Sequence, residues 1–529
     1  MVNYRLSDIS TQFREFQSPV VLNFLAALSG HEAPRLNAPF RFLVCGERTA
    51  RSAATLAAAF ASGEFHVVET DRAYREGVRD LMNDVGQSNV IFHDVDLDDP
   101  DAPPLKLPEL DYVCVHGLYA QLGPVGREVI GQILQGNLRD GGLAFMSYCA
   151  FPGWAALTPL RALLREAARA SHAEDGTMQA PLKLAERLKD LNAEYFIDVP
   201  LASQVVELYA GLPADVLVRE FLSPKFEPQS FDAVSAQMQE FGLSYLACHP
   251  LHLNHVDMAL PRAFRQACHD IEDRRDRERF VDFVLNTKVR EDVYIKGAPE
   301  ASAPAADTRQ AQLLQTIVGT TEPPSDIERT RSFANATVHY GSTLYETVIN
   351  QLALGATGIE QLVNHPLLAS YDADTVIGAV TLLMAGGQFH AMALPAVECE
   401  DPTSLDFEIP SAFNRSVLRR SLFPTSEQDS AEFTSDEVLV CSPVAGNGIL
   451  IPFEEAIVLI AVSEAGADGA TQWAWEQLGA GNSDTDPAAF ASVFVNTMEI
   501  FRRSRLYKYY ELGIVSAKAH NSQSESPNT

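Results

Sequence analysis

Along the first 150 residues, short wholly apolar runs alternate with longer stretches of mixed or alanine-rich composition. Phe42-Leu43-Val44-Cys45 is one such run and stops at Gly46. A strand buried on both faces of a parallel sheet presents that pattern. Residues 50–60 are rich in Ala and Leu and free of Pro and Gly, which predicts a helix. A second apolar run, residues 65–68, ends at the acid Glu69. Strand, glycine turn, helix, strand and acid make the opening of a nucleotide-binding βαβ unit, where the acid accepts hydrogen bonds from ribose hydroxyls. Gly46 is the single glycine in a turn that usually carries two or three.

The alternation continues on both sides of this unit. Residues 17–28 (QSPVVLNFLAAL) predict a helix with Ser18 as cap and Pro19 at its first position. Residues 71–82 predict a second helix and 89–92 a third strand, followed by Asp94, Asp96, Asp98 and Asp99. One acid at that strand end can take an adenine amino group, and an acidic solvated loop accounts for any single one equally well. A fourth strand at 110–115 leads into His116-Gly117-Leu118-Tyr119; a helix at 125–137 and a turn at Gly141-Gly142 precede a fifth strand at 143–147. The pattern is that of an α/β, doubly wound, Rossmann-like sheet with ligands at the carboxyl ends of its strands. Gly46, Glu69, Asp96 and His116 all fall at or just beyond those ends.

Composition adds bounds. The 529 residues imply two to four domains, and 46% hydrophobic content suffices for their cores. The first ten residues are polar and no run of eighteen apolar residues occurs, so neither a signal peptide nor membrane insertion is expected. Seven scattered cysteines without a CxxC pair fit a reducing, cytoplasmic setting. The net charge of −30 argues against nucleic acid as a partner. Cys248-His249-Pro250-Leu251-His252-Leu253-Asn254-His255 offers zinc-type ligands, but Pro250 opposes a helix that would align them, and no metal is expected.

The segments His116–Pro124 (HGLYAQLGP) and GGLAFMSYCAFPGW, ending at Trp154, resemble motifs of class I S-adenosylmethionine methyltransferases that carry a methyltransferase regulatory domain. That group includes the lysine methyltransferases of rickettsial outer-membrane protein. Ser147, Tyr148, Pro152, Gly153 and Trp154 match its SYNTYPGW-like segment, and residues 219–242 and 280–295 resemble the regulatory domain. The resemblance implies S-adenosyl-L-methionine as cofactor, held by Cys45, Gly46, Glu69, Asp96, Leu97 and His116, and a protein acceptor, an outer-membrane or surface protein among the candidates. His116, Tyr119 and Tyr148, on loops at the carboxyl ends of strands, are the candidate catalytic residues; Tyr faces and hydroxyls hold a cationic amine. The first turn departs from the family's ELGCG-x-GG: Phe42 replaces the acid, Val44 the first glycine, and Arg48-Thr49 the closing pair.

The expected division is a methyltransferase domain at 15–197, a regulatory domain at 198–297, a linker at 298–330, a mostly helical, winged-helix-like domain at 331–516 and a disordered tail at 517–529. Helices at 344–354, 358–363 and 373–385 followed by a strand at 388–394 suggest the winged helix. No Lys or Arg occurs from Ser332 to Asn414, so a DNA-binding role is not expected there. Two functional classes remain: a protein-lysine methyltransferase, and a methyltransferase-like scaffold that has lost its cofactor and serves as a protein-binding module. A chain ending near Gly297 is expected to fold on its own.

Overall fold

The computed structural model describes Phe13 and residues 17–170, 179–211, 217, 223, 225–297, 306–423, 437–479 and 486–518. Helix α1 (Pro19–Leu28) begins where the Ser18 hydroxyl accepts the Val20 N–H and Pro19, with no N–H to satisfy, takes the first helical position. Strand β1 (Phe40–Gly46), helix α2 (Ala50–Ala59), strand β2 (Gly63–Glu69) and helix α3 (Arg72–Asp84) follow. Asp71 caps α3 by accepting the Tyr74 N–H. Then come β3 (Val90–Phe92), β4 (Leu110–His116), helix α4 (Pro124–Gly136) and β5 (Leu138–Cys149). Each apolar run of these residues is a strand, β3 no longer than its apolar core and β5 extended well before it, to Leu138.

Two more strands, β6 (Leu243–Cys248) and β7 (Val289–Lys296), complete a seven-stranded sheet ordered β3-β2-β1-β4-β5-β7-β6. β7 runs antiparallel to both of its neighbours; β1, β2, β3, β4 and β5 pair in parallel. Residues 198–297, set apart by the sequence as a second domain, therefore supply two strands to the first domain's sheet. The interior of β7 carries Arg290, Glu291 and Asp292, which conceals it from an apolar-run reading. Arg290 resolves the buried charge. Its Nε lies 3.0 Å from Asp292 Oδ2, its Nη1 2.8 Å from Asp282 and its Nη2 2.8 Å from Glu278, with the guanidinium 4.3 Å over the Phe231 ring.

The C-terminal part contains helices Thr343–Ala353, Ile359–Val363 and Ala373–Ala385, interleaved with a three-stranded sheet of Thr357–Gly358, Ile317–Gly319 and His390–Met392. That is the helix–strand–helix–helix–strand order of a winged helix, with the preceding strand Ile317–Gly319 at its centre. Part of the expected linker is thus regular structure: Ala306–Leu314 is a helix, Ile317–Gly319 a strand, and Leu313 lies in the core.

This part is not a separate body. One hydrophobic cluster runs from Phe42, Leu56 and Phe65 of the sheet layer to Val348, Phe407, Val440 and Ile460. The hairpin of Glu437–Ser442 and Asn447–Pro452 seats its Gly446 turn against α1 and α2. The Ser18 hydroxyl donates to the Gly446 carbonyl at 2.7 Å, and a Cβ on Gly446 would meet the Phe60 ring at 2.6 Å. Every residue of α2 from Ala50 to Ala57 is buried, Arg51, Ser52 and Thr55 included. The shared core speaks against the expectation that a chain ending near Gly297 folds alone. Such a chain would expose the outer face of α2 to water.

Candidate functional site

The carboxyl ends of β1, β2 and β4 meet at Gly46, which pairs with Glu69 on one side and His116 on the other. A Cβ there would lie 2.5 Å from the His116 carbonyl oxygen and 2.6 Å from Thr49 Cγ2. Glycine is required by close approach. Two residues on, Arg48 adopts φ 55, the left-handed conformation that a glycine takes at low cost. The backbone of a glycine turn is therefore retained at a position where the glycine itself is absent.

Glu69 explains how that turn is held. Its Oε1 accepts the Arg48 N–H at 2.8 Å and the Asp71 N–H at 3.0 Å. Its Oε2 accepts the Thr49 N–H at 2.8 Å and the Ala50 N–H at 3.0 Å. Two bonds to each oxygen use the acceptor capacity of a carboxylate, and the N-terminus of α2 carries its own anion. Burial pushes the Glu69 carboxyl up to about 7, while the four N–H bonds pull it down. Arg48 Nε lies 3.8 Å from Asp71 Oδ2, and its guanidinium stands 5.9 Å from the Tyr74 ring centre. The Thr49 hydroxyl is buried beside the turn with no hydrogen-bond partner.

The other residues singled out from the sequence fall as follows. Cys45 is fully buried, and burial pushes its thiol up to about 12, so it stays protonated. Asp96 is exposed and its Oδ1 accepts the Asp98 N–H at 2.9 Å; Leu97 is core. Asp98 is the acid that reaches the sheet's end. It accepts the Gly123 and Gly126 N–H groups at 3.0 Å each, at the start of α4, and the Lys225 ammonium at 2.9 Å. A sequence signal for it exists in Gly123-Pro124, a helix start with no capping side chain of its own.

His116 is half-buried at the end of β4. Tyr119 is sealed and its hydroxyl donates to Gln237 Oε1; Tyr148 is sealed on β5 and its hydroxyl donates to Asp292 Oδ2 at 2.7 Å. Glu69, Gly46 and His116 are thus brought together, while Tyr148 joins the Arg290 charge network. In the histidine-rich stretch, His249 Nδ1 lies 3.0 Å from Glu291 Oε2, and burial with His249 and His255 nearby pushes His252 down to about 4. Among the described residues no group of three or more His, Cys, Asp or Glu is arranged to hold a metal, and no helix is long and apolar enough to cross a membrane.

Residues 213–296 match a family model described as a predicted methyltransferase regulatory domain. The solved structure of PKMT2 from Rickettsia typhi in complex with AdoHcy superposes with a TM-score of 0.66 at 16% identity, over 94% of this chain and 98% of that one. A second structure of the same enzyme gives 0.66 at 17% identity, over 93% and 98%. An uncharacterized protein of Synechocystis is 24% identical over 470 residues, 87% of each chain. An uncharacterized protein of Rickettsia prowazekii is 24% identical over 278 residues, 52% of this chain and 49% of that one.

Proposed function

We propose that this chain, which has the fold of PKMT2 and a segment matching the methyltransferase regulatory domain, is an S-adenosylmethionine-dependent methyltransferase acting on protein lysine side chains. The observation that carries the reading is the Gly46 crossing, where β1 meets β2 and β4 under a left-handed turn, in a sheet ordered β3-β2-β1-β4-β5-β7-β6 with β7 reversed. The residues fit the cofactor at one specific point. The orphaned Thr49 hydroxyl borders the turn and needs a partner that the protein does not provide.

The cofactor supplies an electrophilic methyl group. The chain's own task is to hold a neutral amine in line with it and to keep water out, so positioning provides most of the rate. His116 is a part-exposed side chain at the strand ends and the candidate to face the amine. Tyr119 and Tyr148, expected from the sequence to meet the amine from loops, are instead sealed, Tyr148 within β5, and their engaged hydroxyls brace the chain behind the site. The acceptor class implied by the resemblance is a surface or outer-membrane protein, which an acidic stretch free of Lys and Arg from Ser332 to Asn414 would help attract when its exposed segments are basic.

A second reading has its own support. Glu69 spends its acceptor capacity on the main chain, and Arg48 stands where a glycine usually does. Both favour a binding module that no longer takes cofactor. The experiment is labelled-methyl transfer from S-adenosylmethionine to lysine-rich and envelope proteins, with mass spectrometry of the modified side chains. Methylated lysine supports the enzyme; intact, folded protein that neither binds AdoHcy nor transfers label selects the scaffold.

A further inference from the structure

Residues 225–230 lie across the carboxyl end of the sheet and are stitched to the chain next to both candidate tyrosines. The Glu227 N–H donates to the Ala120 carbonyl at 2.7 Å, one residue past Tyr119. The Gln229 N–H donates to the Cys149 carbonyl at 2.9 Å, one residue past Tyr148, and the Phe151 N–H returns a bond to the Gln229 carbonyl at 2.9 Å. Side chains repeat the pattern. Arg127 bridges Glu227, at 2.9 Å, and the Tyr119 carbonyl, at 3.3 Å. Phe226 is clasped between the Trp154 ring, 5.0 Å away, and the Arg161 guanidinium, 4.2 Å above it.

At the strap's start, Lys225 meets Asp98, whose carboxylate already takes two N–H groups from the start of α4. Asp98 and Arg127 are nearly buried while Lys225 is half-exposed and Glu227 more so, so each pair joins a fixed ion to a mobile one. The strap belongs to the segment that matches the regulatory-domain model.

We propose that residues 225–230 form a positioning strap, in which Lys225 anchors the loop after β3 and the backbone of Glu227 and Gln229 holds the loop carrying Tyr119 and the end of β5 beyond Tyr148. The inference rests on the methyltransferase reading for its purpose, the shaping of the acceptor side, but not for its geometry. Lys225 acts through Asp98, so it is a positioning residue.

The test uses the full chain with Lys225→Met, Lys225→Arg and Gln229→Pro, amide hydrogen exchange resolved by fragment, and calorimetry with AdoHcy. Lys225→Met should speed exchange at Gly123 and Gly126 about tenfold, equivalent to roughly 1.4 kcal/mol of lost local protection. Lys225→Arg should restore it, since a guanidinium reaches the same carboxylate. Gln229→Pro, which removes one donor, should loosen Phe151 and its neighbours. AdoHcy affinity should stay within about twofold of wild type in Gln229→Pro, whose lost bond lies at the end of β5 and not on the loop of Asp96 and Leu97. Unchanged exchange in Lys225→Met, or no rescue by arginine, overturns the strap. Absence of AdoHcy binding to the wild type would overturn the proposed function instead, and the exchange data would still decide the strap.

Discussion

Replacing Glu69 with glutamine isolates the charge that closes the turn. The amide would keep the shape, lose the ionisable group and offer one acceptor oxygen where two now serve four N–H donors. Two effects compete for the native carboxyl: burial disfavours its charged form, and the four N–H bonds favour it. Burial wins, moving the group from 4.5 to about 7. A raised folded pKa means the native state binds the proton more tightly than the unfolded chain does. The group's contribution is therefore fully present below the unfolded value of 4.5 and is lost as pH rises through about 7. At 1.36 kcal/mol per pKa unit, the wild type should lose roughly 2–3 kcal/mol relative to Glu69→Gln between pH 5 and pH 8. Urea unfolding of both proteins at the two pH values measures that difference directly. A gap that is constant with pH, or one that widens in favour of the wild type as pH rises, would show that the N–H bonds dominate burial.

Three further outcomes are expected. Arg48→Gly relieves a left-handed side chain worth ~1–2 kcal/mol but adds ~0.5–1 kcal/mol of unfolded-state freedom, so stability should rise by about 0–1.5 kcal/mol while AdoHcy binding tightens; weaker binding would make Arg48 a cofactor ligand. Tyr148→Phe removes the buried bond to Asp292 and should cost roughly 1.5–3 kcal/mol in urea unfolding, because it leaves a carboxylate short of a donor; a change under about 0.5 kcal/mol would place the tyrosine outside the charge network. A chain cut after Gly297 should be insoluble or molten by near-UV circular dichroism, since α2 and the sheet share one core with the C-terminal part; a cooperative native-like transition would contradict that.

What can be seen from the sequence is what burial writes into residue type. Strands β1, β2, β4 and β5 are sheltered on both faces and show as apolar runs; Ser18-Pro19 and Asp71 announce their helices. Strand β7 is hidden because Arg290 and Asp292 sit in its middle, and only the fold shows that Asp282 and Glu278 answer them. At the site, Gly46, Glu69 and His116 are legible as strand-end residues. The bonding of Glu69 is not, because its partners are main-chain N–H groups, which leave no mark in the sequence. Asp98 does not stand out beside Asp96 for a related reason: its role depends on the start of α4, twenty-five residues away, folding back to meet it. The C-terminal part reads as a separate domain because local periodicity finds helices and strands but cannot say which core they share.

The methyltransferase function requires cofactor at the crossing of β1, β2 and β4 at Gly46. Calorimetry with AdoHcy on the wild type and on Gly46→Ala, at matched pH and salt, tests it most directly. The alanine Cβ would stand 2.5 Å from the His116 carbonyl and force that crossing apart. Binding to the wild type should be saturable and one-to-one, and should be lost in a Gly46→Ala protein that remains folded by circular dichroism. No binding to the wild type, or equal binding by both, would contradict it.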